Sequence, residues 1–103
     1  MATRAPSRNV RITKPKLKGD AVEPVYPKEL QIQGIEGDVV VVVFIGIDGL
    51  VQKAKIVKPS PYPEFNDSAL AAAKARQFFP ATRGGEPIAT SLKFTIRFRL
   101  KDE

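Results

Sequence analysis

A stretch of almost entirely apolar residues at 37–47 limits the folds that this chain can adopt. Five consecutive valines are followed by Phe44 and Ile45, and β-branched side chains favour the extended backbone of a sheet. The run is much shorter than the roughly 20 apolar residues of a membrane-spanning helix. It therefore predicts a strand that is apolar on both faces. One face carries Val39, Val41, Val43, Ile45 and Ile47, and the other carries Val40, Val42 and Phe44.

The second apolar face needs an explanation, because a strand with one side in water should alternate between apolar and polar residues. We expect this strand to lie in the middle of a sheet. We also expect its face with Val40, Val42 and Phe44 to be covered, either by the N-terminal segment around residues 10–12 or by a second copy of the domain.

Composition argues against an enzyme. The 103 residues include no cysteine and no histidine, which excludes disulfides and cysteine metal sites and removes the commonest general base and metal ligand. We predict an interaction domain with no catalytic residues, no cofactor and no metal site. A chain of this length forms one small domain.

The charge is concentrated at the N-terminus. Residues 1–19 hold six Lys or Arg and no acid, whereas residues 20–103 hold eleven of each sign. We expect residues 1–21 to be a basic flexible tail or the end of a linker, and residues 22–103 to be the folded domain. A solvated linker explains the tail better than a nucleic-acid or membrane-surface arm, and no aromatic residues interleave the basic ones. We expect the chain to be cut from a longer protein.

Local patterns predict a helix, two paired strands and a second helix. Pro27 opens a short helix over residues 28–33 that stops at Gly34. The Asp48-Gly49 pair predicts a hairpin with a return strand at residues 50–57, whose apolar spacing indicates a bulge. Asn66 is the predicted N-cap of a helix running to Gln77. This helix is expected to have Leu70 and Ala73 on its packing face and a staple between Phe65 and Leu70.

The last strand, at residues 90–100, alternates strictly. The fold class is therefore α+β: a three-stranded antiparallel sheet with two helices packed on one face and an additional N-terminal strand near residues 9–13. With the valine-rich strand in the middle, the last strand lies at an edge. Its outward Lys and Arg side chains fit two explanations equally well, a soluble edge or a docking edge for an added peptide strand. The glycine pair at 84–85 indicates a plain turn rather than an anion cradle.

Motifs along residues 23–100 resemble the C-terminal domain of the TonB family of energy transducers. In chain order they are Pro24-Val25-Tyr26-Pro27, Gly34-Ile35-Glu36-Gly37, Asp48-Gly49-x-Val51, Phe65-Asn66-x-x-Ala69-Leu70, Phe78-x-Pro80-Ala81 and Gly85-x-Pro87-Ile88. The order and spacing together carry the resemblance, since each motif alone is common. TonB proteins are not enzymes.

The resemblance implies a periplasmic domain of Gram-negative bacteria, anchored to the inner membrane by an N-terminal helix that this chain lacks. It would bind the TonB box of an outer-membrane transporter as an added strand and transmit force from an Exb-type motor driven by the proton-motive force. The same fold could instead serve a motility, secretion or sensor assembly, or self-associate as a homodimer through the sheet. A basic anion-binding or nucleic-acid-binding module using the tail is a less favoured rival.

The resemblance also implies a partner-binding set. Its members lie before the first helix and on the last strand: Glu23, Val25, Tyr26, Ser91, Lys93, Thr95, Arg97 and Arg99. Glu23 replaces the family's frequent Gln and cannot donate a hydrogen bond when ionised. Arg76 stands where the family often has Trp, so packing there must differ.

Overall fold

The computed structural model describes residues 10–101. Within this range the chain forms two helices and eight strands. They are β1 (Ile12–Thr13), β2 (Lys16–Leu17), α1 (Lys28–Ile32), β3 (Gly37–Ile45), β4 (Val51–Lys58), α2 (Pro63–Ala75), β5 (Phe78–Phe79), β6 (Ala81–Arg83), β7 (Glu86–Ile88) and β8 (Thr90–Phe98). The predicted α+β class is confirmed.

The central sheet has the strand order β4-β3-β8, and all pairs are antiparallel. The valine-rich β3 is the middle strand, as its two apolar faces predict. Its register with β8 is continuous from Gly37 opposite Phe98 to Ile45 opposite Thr90. Its register with β4 shifts twice. One shift leaves Gln52 unpaired between Val51 and Lys53, which is the bulge that the spacing of β4 indicates.

Both helices lie on one face of the sheet, where the core forms. Val39, Val41 and Val43 are fully buried there, because alternate β3 side chains point to the same face. Phe65 of α2 stacks on Phe98 of β8 with ring centroids 4.3 Å apart. A Cβ on Gly37 would lie 2.8 Å from the Phe65 ring, so glycine at 37 permits this contact.

Helix α2 begins earlier than its sequence predicts. Pro63 occupies the first turn and Tyr62 is the N-cap, so the prediction of Asn66 as N-cap is wrong. Asn66 instead holds the preceding loop: its side chain accepts from the Ser60 N–H at 2.8 Å and donates to the Ser60 carbonyl at 3.2 Å. The predicted staple is also wrong, because Phe65 lies inside the helix as part of the core.

Smaller corrections concern element ends and faces. Helix α2 ends at Ala75 and packs through Phe65, Ala69, Ala72 and Ala73, while Leu70 is half-buried. Strand β3 ends at Ile45, so Ile47 lies in the hairpin loop and is 64% exposed rather than in the core. Strand β8 ends at Phe98, two residues before its predicted end.

The N-terminal segment pairs with the chain that follows α2. Strand β1 pairs with β6, and β2 pairs with β5. Strands β6 and β7 form a hairpin whose turn residues Gly84 and Gly85 both have positive φ, so the glycine pair makes the predicted plain turn. These additions lengthen the molecule to 67 × 25 × 25 Å.

The sheet face opposite the helices is called the open face below. It carries Val40, Val42 and Phe44 together with the β4 and β8 residues paired with them. The predicted cover by the N-terminal segment is wrong for the described residues: Ile12 pairs with Arg83 in another sheet and remains 67% exposed. Phe44 is 37% exposed. On this face Lys55 and Lys53 pair with Val42 and Phe44, and the aliphatic stem of a lysine can cover an apolar neighbour.

Candidate partner-binding site

The free edge of β8 presents a row of backbone groups. Across the β3–β4 hairpin the Gly46 N–H donates to the Leu50 carbonyl at 2.9 Å, so even-numbered β3 residues direct their backbone at β4 and odd-numbered residues at β8. The continuous β3–β8 register pairs the odd β3 residues with even β8 residues. The N–H and C=O groups of Ser91, Lys93, Thr95 and Arg97 therefore point away from β3. Within residues 10–101 no strand pairs with β8 on that side.

A groove of about 270 Å³ runs beside this edge. One wall is the C-terminal half of β8 from Thr95 onward together with Arg99, which follows the strand. The other wall is the segment at residues 21–26, with Arg76 at the end of α2. A peptide added along β8 would place alternate side chains in this groove, because successive strand residues point to opposite faces. The groove thus adds side-chain contacts to the main-chain pairing of the edge.

Tyr26 fixes the segment that forms the second wall. Its ring contacts Phe65 and Phe98 edge to face, with centroids 5.6 and 5.7 Å apart, and its hydroxyl donates to the Ile35 carbonyl. Burial, and to a lesser extent the nearby Glu36 carboxylate, raises the pKa of the Tyr26 hydroxyl. The two prolines that flank this segment, Pro24 and Pro27, hold the backbone around Tyr26 extended.

Arg76 supplies a cation at the base of the groove. Its guanidinium carbon lies 4.3 Å from the centroid of the Phe94 ring, within the range of a cation–π contact. Burial lowers the pKa of this guanidinium, and among the described residues its Nε has no hydrogen-bond partner. The contact occupies the place where the resemblance leads one to expect a Trp. The sequence alone could not identify this contact of Arg76, because basic residues and aromatic strand residues occur together in many sequences.

A second groove lies on the other side of the same segment. It has a volume of about 530 Å³ and lies between residues 22–27 and the outer surface of α2. Val22, Glu23 and Pro24 line both grooves, so these three residues form a common wall. The Ser68 hydroxyl donates to the Val25 carbonyl and ties the wall to α2.

The structure separates the predicted partner-binding set into three groups. The groove beside the free edge of β8 is lined by Glu23, Tyr26, Thr95, Arg97 and Arg99. Ser91 and Lys93 lie farther along the free edge, outside that groove. Val25 is 79% exposed and lines the α2 groove instead.

Arg99 is held in place by the neighbouring strand. Its guanidinium lies 2.8 Å from the Asp38 carboxylate and donates to the Gly37 carbonyl at 3.3 Å. The hydrogen bond with Asp38 raises the pKa of Arg99. Arg99 therefore lines the groove as part of a half-exposed ion pair with Asp38.

Neither a membrane span nor a metal site emerges from the described residues. Neither helix within residues 10–101 has the length and apolarity to cross a bilayer. In the same residues no three Asp or Glu side chains come together as metal ligands.

A small α+β domain with a free, groove-lined edge strand defines a class of interaction domains that accept an added strand. Residues 22–100 match the family model described as Gram-negative bacterial TonB protein C-terminal. The chain belongs to this family, whose members are interaction and energy-transducing proteins rather than enzymes.

Relatives and a solved structure agree with the family. The chain is 32% identical over 95 residues to Protein TonB of Vibrio cholerae, covering 92% of this chain and 39% of that protein. It is 41% identical over 80 residues to Protein TonB of Helicobacter pylori, covering 76% and 27%. The solution NMR structure of the Pseudomonas aeruginosa TonB CTD superimposes with a TM-score of 0.70 at 27% identity, covering 87% of this chain and 90% of that one. The chain thus spans about two fifths or less of the curated relatives.

Proposed function

We propose that this chain is the periplasmic coupling domain of a TonB-type energy transducer and that it binds the TonB box of an outer-membrane transporter as a strand added to β8. The observation that carries the proposal is the row of outward N–H and C=O groups at Ser91, Lys93, Thr95 and Arg97. These groups lie beside a groove that can accept the side chains of the added strand. Membership in the TonB family supports an outer-membrane transporter as the partner.

The coupling role follows from how the added strand would be held. An N-terminal membrane helix and an Exb-type motor of the inner membrane would pull on the domain, and the transporter would resist through the bound strand. Strand β8 is anchored by nine consecutive pairs with β3. Hydrogen bonds along such a ladder share a load applied along the strand, so β8 is suited to transmit it.

The proposal predicts binding that depends on the backbone of β8 more than on its side chains. A fluorescent TonB-box peptide should bind the 103-residue chain, and Thr95→Pro should weaken binding about tenfold or more, since proline removes one edge donor. Thr95→Ala, the matched control, keeps the N–H and should bind nearly as the parent does. Anisotropy titrations measure both, and thermal unfolding by circular dichroism checks that each variant folds. Equal affinity of both variants would refute strand addition at β8.

A salt titration separates this function from the basic anion-binding alternative. Main-chain pairing should change little with ionic strength, whereas binding of a polyanion falls steeply as salt rises. Loss of peptide binding at moderate salt, together with binding of the isolated residues 1–21 to nucleic acid, would favour the alternative.

A further inference from the structure

The open face gathers cations around an apolar stripe. Lys58, Lys55 and Lys53 of β4 pair with Val40, Val42 and Phe44, and directly paired residues share a face. On the β8 side Lys93 pairs with Val42 and Arg97 with Asp38. These five basic side chains are all exposed. The sheet therefore presents positive charge along both sides of its apolar middle strand.

Acids do not balance this charge on the same face. Strands β4 and β8 contain no Asp or Glu, and the single acid of β3, Asp38, pairs with Arg99 at 2.8 Å. The helices on the opposite side carry three acids and two lysines, which are Glu29, Glu64, Asp67, Lys28 and Lys74. The folded part is therefore polarised, with its positive side on the open face, although residues 20–103 are neutral in total.

The exposed apolar surface continues into the β3–β4 hairpin loop, which also holds Asp48, an exposed acid whose carboxylate accepts from the Leu50 N–H at 3.0 Å. Phe44 is 37% exposed, and the β3–β4 hairpin loop exposes 64% of Ile47 and 47% of Leu50. Charge alone would attract any polyanion, but an acidic polymer gains little from the exposed aliphatic side chains of Ile47 and Leu50, and nucleic-acid bases could stack here only on the single aromatic Phe44. A bilayer with anionic headgroups satisfies both, because lysines reach phosphates while apolar side chains enter the interfacial layer.

We propose that the open face and its β3–β4 loop bind the surface of an anionic phospholipid bilayer. A second copy of the domain, the other cover that the sequence analysis offered, is a poorer occupant of this face, because a two-fold contact would set five cations against five. Such a site would let the domain rest on a membrane while β8 remains accessible at its edge. It is independent of strand addition to β8.

The test uses vesicles of about one third phosphatidylglycerol in phosphatidylcholine, with cosedimentation of the 103-residue chain as readout. Binding should be strong on these vesicles, weak on pure phosphatidylcholine, and reduced by salt. The variant K53Q/K55Q/K93Q should bind about a hundredfold more weakly, at about fivefold per lysine. The matched control K14Q/K16Q/K18Q removes equal charge from the N-terminal segment and should lose less than about tenfold. Thermal unfolding confirms that both variants are folded.

A separate variant tests how much the apolar side chains contribute to vesicle binding. Phe44→Ser should weaken vesicle binding about tenfold and leave binding to poly-L-glutamate unchanged. If the control variant loses as much vesicle binding as K53Q/K55Q/K93Q, the open face is not the site. If Phe44→Ser has no effect on vesicles and poly-L-glutamate binds as tightly as they do, the face is a site for acidic polymers or proteins, and the bilayer proposal is wrong.

Discussion

The Phe78 carbonyl oxygen lies 1.9 Å from the position that a Cβ on Gly49 would occupy. The Phe78 N–H also donates to the Gly49 carbonyl at 3.0 Å. The hairpin turn between β3 and β4 is thus packed directly against the chain that leaves α2, and the turn has room only for glycine.

Gly49→Ala should destabilise the fold by more than about 2 kcal/mol. Its φ of +83° costs a side chain about 1–2 kcal/mol, and the contact with Phe78 must also be broken. Gly85→Ala is the matched control, because Gly85 has φ +87° and no atom within 4 Å of an added Cβ. Urea denaturation should show a loss near 1 kcal/mol for the control. Equal losses would mean that the Gly49 contact relaxes freely.

Phe65→Ala should lower the free energy of unfolding by about 3–5 kcal/mol. The side chain is fully buried, stacks on Phe98, and fills the space above Gly37. Phe79→Ala removes the same atoms from a residue that is 55% exposed and should cost less than about 1 kcal/mol. Thermal or urea unfolding compares the two variants. A large loss at Phe79 instead would place the stabilising aromatic contact in the β2–β5 pair.

Stability should fall above pH 10 in a way that depends on Tyr26. Burial raises the pKa of this hydroxyl above its usual 10.0, so the folded state holds the proton more tightly than the unfolded chain does. The resulting stability is complete below the unfolded pKa and is lost as pH rises through the folded pKa. The free energy of unfolding of the parent chain should therefore fall more steeply with pH across this range.

Tyr26→Phe should abolish this additional loss of stability above pH 10. Near neutral pH the variant should be less stable by about 1 kcal/mol, because it lacks the hydrogen bond to the Ile35 carbonyl. Tyr62→Phe keeps Tyr26 and should retain the loss. Parallel stability curves for the parent and Tyr26→Phe above pH 10 would contradict the assignment.

If β8 binds a TonB-box peptide as proposed, Glu23→Gln should tighten that binding about two- to tenfold. An amide can donate to a carbonyl of the added strand and an ionised carboxylate cannot, and one hydrogen bond is worth about 0.5–1.5 kcal/mol. Glu29→Gln removes the same charge from α1, outside the lining of both grooves, and should leave the affinity unchanged. Weaker binding of Glu23→Gln would show that the carboxylate itself contacts the peptide.

Sequence patterns predicted the central sheet because its determinants are local. The valine run, the Asp48-Gly49 turn and the three-residue step from Val51 to Ala54 each fall within a few residues of the element that they define. The additional pairs were harder to predict. Strands β2 and β5 have two residues each and pair across some sixty positions, so neither has a period that could be recognised.

The candidate site likewise has one part that local sequence patterns predict and one part that they do not. The edge position of β8 follows from its alternation and from the apolar strand beside it. The groove does not, because its second wall depends on Tyr26 reaching Phe65 and Phe98, three residues that are distant in sequence. Asn66 misled the prediction because its side chain suits an N-cap, whereas Pro63 starts the helix one turn earlier.

The alternation along β8 divides its residues into two groups that evolution can treat differently. Leu92, Phe94 and Ile96 pair with β3 through their backbone and contact the core through their side chains, so a change at these positions disturbs both. Ser91, Lys93, Thr95 and Arg97 offer only their backbone to the free edge, while their side chains lie on the open face. A substitution other than proline at these four positions therefore changes the charge of the open face or the lining of the groove, and it keeps the main-chain row at the edge.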